Sequence, residues 1–245
     1  MANLIVDEGN TLCKIAVLNT NEVLCEWSDR EFDVAKAMEL VEQFSIDKAI
    51  VASTRGGAER ICSELCSKID RVLTFSSQTE VPIEVEYSSR QTLGADRIAV
   101  AVGVVCELGI RDALIVDMGS AITYDIVENG VFKGGNISLG VAMRFRALHE
   151  FTASLPLCEM AEPNGEFGKS TKEAIEQGVM QGILYEIEGY IERVLSENDK
   201  KSIIFCGGDA ESFVNRIKSA IFAPRKLMFT GLNRILEYNV SQNNI

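Results

Sequence analysis

Leu114-Ile-Val-Asp-Met-Gly-Ser120 has a near copy at the start of the chain, Leu4-Ile-Val-Asp-Glu-Gly-Asn10. Each string is an apolar run, an aspartate, one further residue, a glycine and a small polar residue. A short apolar run closed by a turn signal suits a buried strand. Glycine behind it lets the backbone turn tightly, or lets a ligand come close. Asp7 and Asp117 stand 110 positions apart. The spacing predicts two similar halves, each ending a buried strand in a carboxylate, with the two carboxylates facing one cleft.

The flanks of the two strings agree. Leu4–Val6, Cys13–Leu18 and Val23–Trp27 read as a strand meander with a polar Gly/Asn turn at Asp7–Thr11. Leu114–Gly119, Ala121–Val127, the hairpin signal Glu128-Asn129-Gly130 and Val131–Lys133 repeat that order. Between the copies, helical spacing at Glu31–Phe44 and Gly57–Ile69 alternates with strand-like runs at Lys48–Ser53, Val72–Phe75 and Ile83–Tyr87. Leu93-Gly-Ala-Asp-Arg97 opens an apolar helix over Ile98–Leu108, with Gly109 as its stop. After the second copy, Gly134–Gly140 reads as a loop leading to a helix near Val141–Ser154, and Leu155–Phe167 as irregular chain. Ser170-Thr-Lys-Glu173 has the capping-box pattern and starts a helix to about Leu195. A strand at Ser202–Cys206, a helix over Glu211–Ile221, a strand at Leu227–Phe229 and a helix at Leu232–Tyr238 complete the order. Strand and helix alternate, so the class is α/β. The expected division is 1–110 and 111–245.

The formal net charge of −12 argues against a nucleic-acid partner, which would call for a basic footprint. It leaves a nucleotide open, because loop amides and cations hold phosphate without net positive charge. Seven cysteines with no CxxC pair read as reduced, mostly packing thiols of a cytoplasmic protein. No basic region followed by an apolar core opens the chain, so no signal peptide is expected. No apolar run approaches the ~20 residues that span a bilayer, so no membrane partner is expected.

Several motifs could carry chemistry. The paired Asp-x-Gly turns read as phosphate-facing loops: amides freed by glycine point at phosphate, and the carboxylates hold a cation or its water. A single such turn would be an ordinary strand end; two in matching meanders favour function. In Gly94-Ala-Asp-Arg97, Asp96 reads either as a helix-terminus acid or as a base for a substrate hydroxyl, with Arg97 binding an anion. Gly165-Glu-Phe-Gly-Lys-Ser-Thr171 is not a P-loop: Pro163 stands where its first glycine belongs, and no strand precedes it. Thr171 could simply cap the long helix. Cys206-Gly-Gly-Asp209 is a turn where backbone could meet a flat ligand such as adenine. With His149 alone and no cysteine cluster, neither a zinc site nor a Ser-His-Asp triad is expected.

Taken together, these strings resemble the type III pantothenate kinases of bacteria, within the sugar-kinase, heat-shock-chaperone and actin superfamily. The matching strings run in order from Asp7 to Ala210: Asp7–Thr11, Gly94–Arg97 with Tyr87 upstream, Asp117–Thr123 followed by Asp125, Gly134–Gly140, Ala147-Leu148 with Thr152–Pro156, Gly168–Thr171 and Gly207–Ala210. The resemblance implies two duplicated ribonuclease H-like domains, each a mixed five-stranded sheet with helices, and a cleft between them. It implies ATP-dependent phosphorylation of pantothenate to 4'-phosphopantothenate, the first step of coenzyme A biosynthesis, by a homodimer. Carried over residue by residue, Asp96 is the base. Asp7, Glu8, Gly9, Asn10, Thr11, Leu12, Cys13, Lys14 and Ser120 meet ATP. Tyr87, Gly94, Ala95, Asp96, Arg97 and Thr171 form the pantothenate site. Asp117 binds a monovalent cation, K⁺ or NH₄⁺, and Mg²⁺ accompanies ATP. Three positions depart from the family pattern: Ser120 replaces a usual threonine, Leu139 a usual proline, and Arg90 sits near a common proline. None is an acidic position, so an active enzyme is expected. The alternatives are a non-catalytic interacting relative, such as the Bvg accessory factor proteins, and a kinase of the superfamily acting on another small molecule.

Overall fold

The computed structural model describes residues 2–20, 22–161, 167–217, 220–222, 226–243 and 245. The meander β1 (Ala2–Glu8), β2 (Cys13–Asn19) and β3 (Glu22–Asp29) is antiparallel. β4 (Lys48–Ser53) and β5 (Arg71–Phe75) join it in parallel, giving the order β3-β2-β1-β4-β5. β6 (Glu84–Val85) is a short strand. β7 (Ala113–Met118), β8 (Ala121–Glu128) and β9 (Val131–Leu139), with β10 (Ser202–Cys206) and β11 (Ala220–Phe222), repeat the plan as β11-β10-β7-β8-β9-β6, with β6 added beyond β9. The mixed α/β duplication read from the two aspartate strings is therefore present, each copy on the central strand of its sheet. The register repeats as well: Asp7 pairs with Ala52 of β4, and Asp117 with Cys206 of β10.

Helices cover these sheets where the apolar spacing puts them. α1 (Val34–Phe44) is capped by Asp33, whose carboxylate accepts from the Lys36 amide at 3.0 Å, and ends on Ser45 in the left-handed region. α2 (Ala58–Leu65) follows Gly57. Period-two alternation then divides β1. Leu4 and Val6 join Ile15, Leu40, Ile61 and Leu65 in a buried cluster under α1 and α2. Asn3 looks the other way, donating to Asn233 at 2.7 Å and Glu237 at 2.6 Å on the C-terminal helix α7 (Leu227–Ser241). α3 (Ala95–Val102) packs beside α7 and runs on into a π-helical turn over Gly103–Glu107 before Gly109 ends it at positive φ. In the second sheet's core, Leu114, Val116, Ile122 and Tyr124 pack against α4 (Val141–Glu150) and α5 (Thr171–Glu197). Ser170 caps α5: the Glu173 amide donates to Ser170 Oγ at 3.3 Å, while the Glu173 carboxylate accepts from the amide of Lys169, one residue before the cap, at 2.7 Å.

Some elements differ from the sequence expectation. β9 continues through Gly134–Leu139, where a loop was expected; Gly135 makes this possible, because a Cβ there would lie 2.0 Å from the Tyr124 carbonyl. Leu227–Phe229 is the first turn of α7, not a strand. The expected helix over Glu211–Ile221 shortens to α6 (Glu211–Val214), and Ala220–Phe222 pairs with β10 instead. Pro163 and Gly165 of the irregular stretch, and residues 218 and 219, lie outside the described residues. Two compact units emerge, Met1–Arg111 with Val127–Gly134 and Lys226–Ile245, and Asp112–Ile126 with Gly135–Arg225. The chain first crosses between them after Arg111, beside the expected junction, but the β8–β9 tip and α7 group with the first unit.

The α3–α7 contact is made by backbone. A Cβ on Gly231 would stand 2.0 Å from the Ala99 carbonyl, and one on Gly103 would stand 2.7 Å from the Leu227 carbonyl. Gly231→Ala is expected to destabilise the protein by about 2 kcal/mol, the usual scale of overpacking. The check is the denaturation midpoint in urea, which should fall relative to the parent.

Candidate functional site

In the first unit the aspartate turn and the head of α3 come together. Asp7, the last residue but one of β1, is almost wholly buried, on the face opposite α1 and α2. Burial pushes its carboxyl up to about 6; the Lys14 ammonium, its cross-strand partner, pulls the other way, and the Asp96 carboxylate adds a smaller push upward. Three charged groups from the sequence reading thus sense one another. The turn closes with the Gly9 amide donating to the Leu12 carbonyl at 3.0 Å, leaving Asn10, Thr11 and Leu12 exposed.

Asp96 lies in the first turn of α3, where its carboxylate accepts from the Arg97 amide at 2.9 Å. It folds back over Gly94, whose Cβ would meet Asp96 Oδ1 at 2.4 Å. The helix-terminus role therefore exists, and a side chain at Gly94 would displace the Asp96 carboxylate from this position. Arg97 is buried, its guanidinium 5.9 Å from the Tyr87 ring and 5.8 Å from that of Phe132. Those rings are 6.3 Å apart, and Gly134, at φ +100°, brings its backbone against Tyr87. Gly94, Ala95, Asp96, Arg97 and Tyr87 thus form one patch. Phe132, the second wall of Arg97, was missed in the sequence; its only signal was an apolar residue two before Gly134.

The nucleotide string Asp7–Lys14 divides between two faces. Asp7 and Lys14 are directed to the α3 side. Glu8 and Cys13 turn toward α1 and α2, where the Glu8 carboxylate accepts from Ser53 Oγ at 2.5 Å, and Cys13 is core. Burial first, then the Glu8 and Asp7 carboxylates, push the Cys13 thiol up to about 12, so it stays neutral.

In the second unit the turn after β7 rests on glycines. The Gly119 amide donates to the Ala121 carbonyl at 3.0 Å. Gly140, the residue before α4, would place a Cβ 2.4 Å from the Ser120 carbonyl, so only glycine lets α4 sit against this turn. Gly207, at φ +91°, has its Cα so close that a Cβ would lie 2.5 Å from Asp117 Oδ1. Cys206, deeply buried, is hydrogen-bonded to Asp117, and burial holds its thiol well above the usual range. Neither Cys206 nor Gly207 was tied to Asp117 in the sequence, because their adjacency comes only with the β7–β10 pairing. A cavity of about 380 Å³ lined by Val141, Phe145, Leu157, Cys158 and Met160 reaches Asp209, whose carboxyl burial pushes up. Thr171 opens α5 but is not its cap, which is Ser170; it lines an apolar groove of about 740 Å³ between α4 and α5. His149 is engaged structurally, its Nδ1 2.8 Å from the Leu155 carbonyl.

The family model described as type III pantothenate kinase matches residues 3–193. The chain belongs to that family. Curated relatives of that name are 38% identical in Bacteroides fragilis (strain YCH46), over 97% of this chain and 98% of that one. The relative in Porphyromonas gingivalis (strain ATCC BAA-308 / W83) is 39% identical, over 97% and 99%. Among solved structures, a protein of the Baf transcriptional-activator family from Campylobacter jejuni superposes with TM-score 0.64 at 23% identity, covering 97% of this chain and 99% of its own. The activator of the 2-hydroxyisocaproyl-CoA dehydratase from Clostridium difficile, with bound ADPNP, gives 0.58 at 14%, covering 100% and 98%. At such identities the structural likeness concerns the fold.

Asp7 yields a pH test. Its carboxyl rises from 3.8 in the free state to about 6 when folded, so its contribution to stability is complete below the unfolded value and is lost as pH rises through the folded one. Above pH 7 the ionised, buried group costs roughly 3 kcal/mol. Ligand-free Asp7→Asn should therefore melt above the parent at pH 7.5, by a margin that narrows at pH 5. A margin independent of pH would contradict the buried-carboxylate account.

Proposed function

We propose that this chain phosphorylates pantothenate with ATP, giving 4'-phosphopantothenate at the start of coenzyme A biosynthesis. What carries the reading is the grouping of Asp7, Lys14 and Asp96 within one unit of a type III pantothenate kinase family member. Phosphoryl transfer depends on positioning and charge neutralisation more than on covalent chemistry. Asp96 takes the part of the base. A primary alcohol is far too weak an acid to be ionised outright by a carboxylate, so Asp96 aligns the hydroxyl and accepts its proton late in the transfer. Arg97, desolvated between Tyr87 and Phe132, takes the pantothenate carboxylate.

The residues fit the cations that the family implies. Asp7 is a buried carboxylate that bound positive charge would return to the ionised form, and Asp117 is held by Cys206 with Gly207 leaving room beside it. Mg²⁺ with ATP and K⁺ or NH₄⁺ at Asp117 supply, when bound, the positive charge that an acidic protein lacks toward a polyanion. Lys14 and the amides of Gly9–Leu12 receive phosphate oxygens. Ser120 offers its hydroxyl to ATP, and the apolar cavity reaching Asp209 suits the nucleobase. The reading includes a cytoplasmic homodimer, supported by exposed Leu139 and Phe151 beside Thr171. Among the described residues no helix is long and apolar enough to cross a membrane.

The direct test is ATP-dependent phosphorylation, with pantothenate and with sugars as acceptors. Asp96→Asn is expected to keep the fold and lose roughly 10²-fold or more in turnover, the scale of a general base; near-normal turnover would remove Asp96 from the role. Activity in Na⁺ alone should fall well below that in K⁺ or NH₄⁺, and equal rates would remove the cation from Asp117.

A further inference from the structure

The internal duplication makes one residue anomalous. Glu8 follows Asp7 as Met118 follows Asp117, and Met118 is fully buried core. The backbone of the two positions is used identically: the Thr54 amide donates to the Glu8 carbonyl at 2.9 Å, and the Asp209 amide to the Met118 carbonyl at 3.0 Å. The second turn therefore stands on an apolar side chain, while the first stands on a carboxylate with 3% of its residue surface exposed. Burying a charge is costly unless partners meet it.

Here the partners are in place. Ser53 Oγ donates to Glu8 Oε2 at 2.5 Å and itself accepts from the Gly57 amide at 3.0 Å and the Arg55 amide at 3.2 Å. The carboxylate lies over Gly57, where any Cβ would come within 2.3 Å of Oε2, at the positive end of α2. Arg60 of α2 approaches Oε1 at 3.7 Å. Side chain and backbone of Glu8 are thus both stitched to the β4–α2 connection, directly before the turn Gly9–Leu12.

We propose that Glu8 is a positioning residue for the first phosphate turn. Its carboxylate, clamped by Ser53 and seated over Gly57, fixes where Asp7 and the amides of Gly9–Leu12 stand, and so sets the affinity for the phosphate end of ATP. Glu8 touches no substrate; it acts through its neighbours. A packing residue would serve equally well as methionine, as the second turn demonstrates, so the two roles separate by experiment. The inference rests on the kinase reading for its ligand, and ATP binding by calorimetry tests it apart from turnover.

Glu8→Gln keeps an acceptor for Ser53 and should bind ATP within about threefold of the parent. Glu8→Met, which copies the second turn, should fold but weaken ATP at least tenfold while the KM for pantothenate changes less than twofold. Ser53→Ala and Gly57→Ala should move ATP affinity in the same direction. The proposal is overturned if Glu8→Met binds ATP as the parent does, if it weakens both substrates alike, or if Glu8→Gln is as defective as Glu8→Met. A parent that binds ATP but phosphorylates no pantothenate would sink the kinase reading and leave this comparison decisive; a parent that binds no ATP would sink both.

Discussion

A carboxylate at the end of a buried strand is unfavourable, and much of the chain around Asp7 and Asp117 is arranged to tolerate it. Asp7 is the last residue but one of a strand on which every residue is buried, and burial is the main cause that raises its carboxyl to about 6. Lys14 opposite reduces that cost without cancelling it. Asp117 is managed differently: the β10 strand beside it ends in Cys206, a thiol hydrogen-bonded to the carboxylate, and is followed by Gly207, which has no side chain to crowd it. A site kept uncomfortable in this way gains from any bound cation, because the charge that destabilises the free protein becomes favourable when neutralised.

The glycines follow from the same constraint. Gly94, Gly140, Gly207 and Gly57 each stand where backbone must lie within contact distance of a carboxylate or of the turn carrying one. Their positions depend on three-dimensional adjacency, which explains why the sequence revealed some and not others. Gly94 is two residues from the aspartate that it accommodates, so the motif exposed it. Gly207 is far along the chain from Asp117, and only the parallel pairing of β7 with β10 makes them neighbours.

Local signals were legible throughout: the repeated strand-turn, the meanders, the helix cap at Ser170, the helix stop at Gly109. These depend on residues within a few positions of one another. What was not legible involved long-range packing. Leu227–Phe229 reads as a strand by composition, yet the buried set Leu227, Leu232, Ile235, Leu236 and Asn239 has helical spacing once the polar Asn239 is counted as interior, bonded to the Glu80 and Ile235 carbonyls. The assignment of α7 to the first unit depends on Asn3, Lys48 and Gly231, none of which marks its distant partner, Glu237 for the first two and Ala99 for the third, in any pattern.

The nucleotide string shows where motif reading ends and stereochemistry begins. The resemblance at Asp7–Thr11 implies that Asp7–Lys14 face ATP, but a strand sends alternate side chains to opposite faces. Asp7 and Lys14 are paired across the hairpin and so share a face; Glu8 and Cys13, paired likewise, share the other. The two copies of the strand-turn are alike in main chain and different in the residue behind the aspartate. Duplication supplies the scaffold twice. The residue behind the aspartate, Glu8 on Ser53 in one copy and Met118 in the core of the other, is a carboxylate in the first and an apolar side chain in the second.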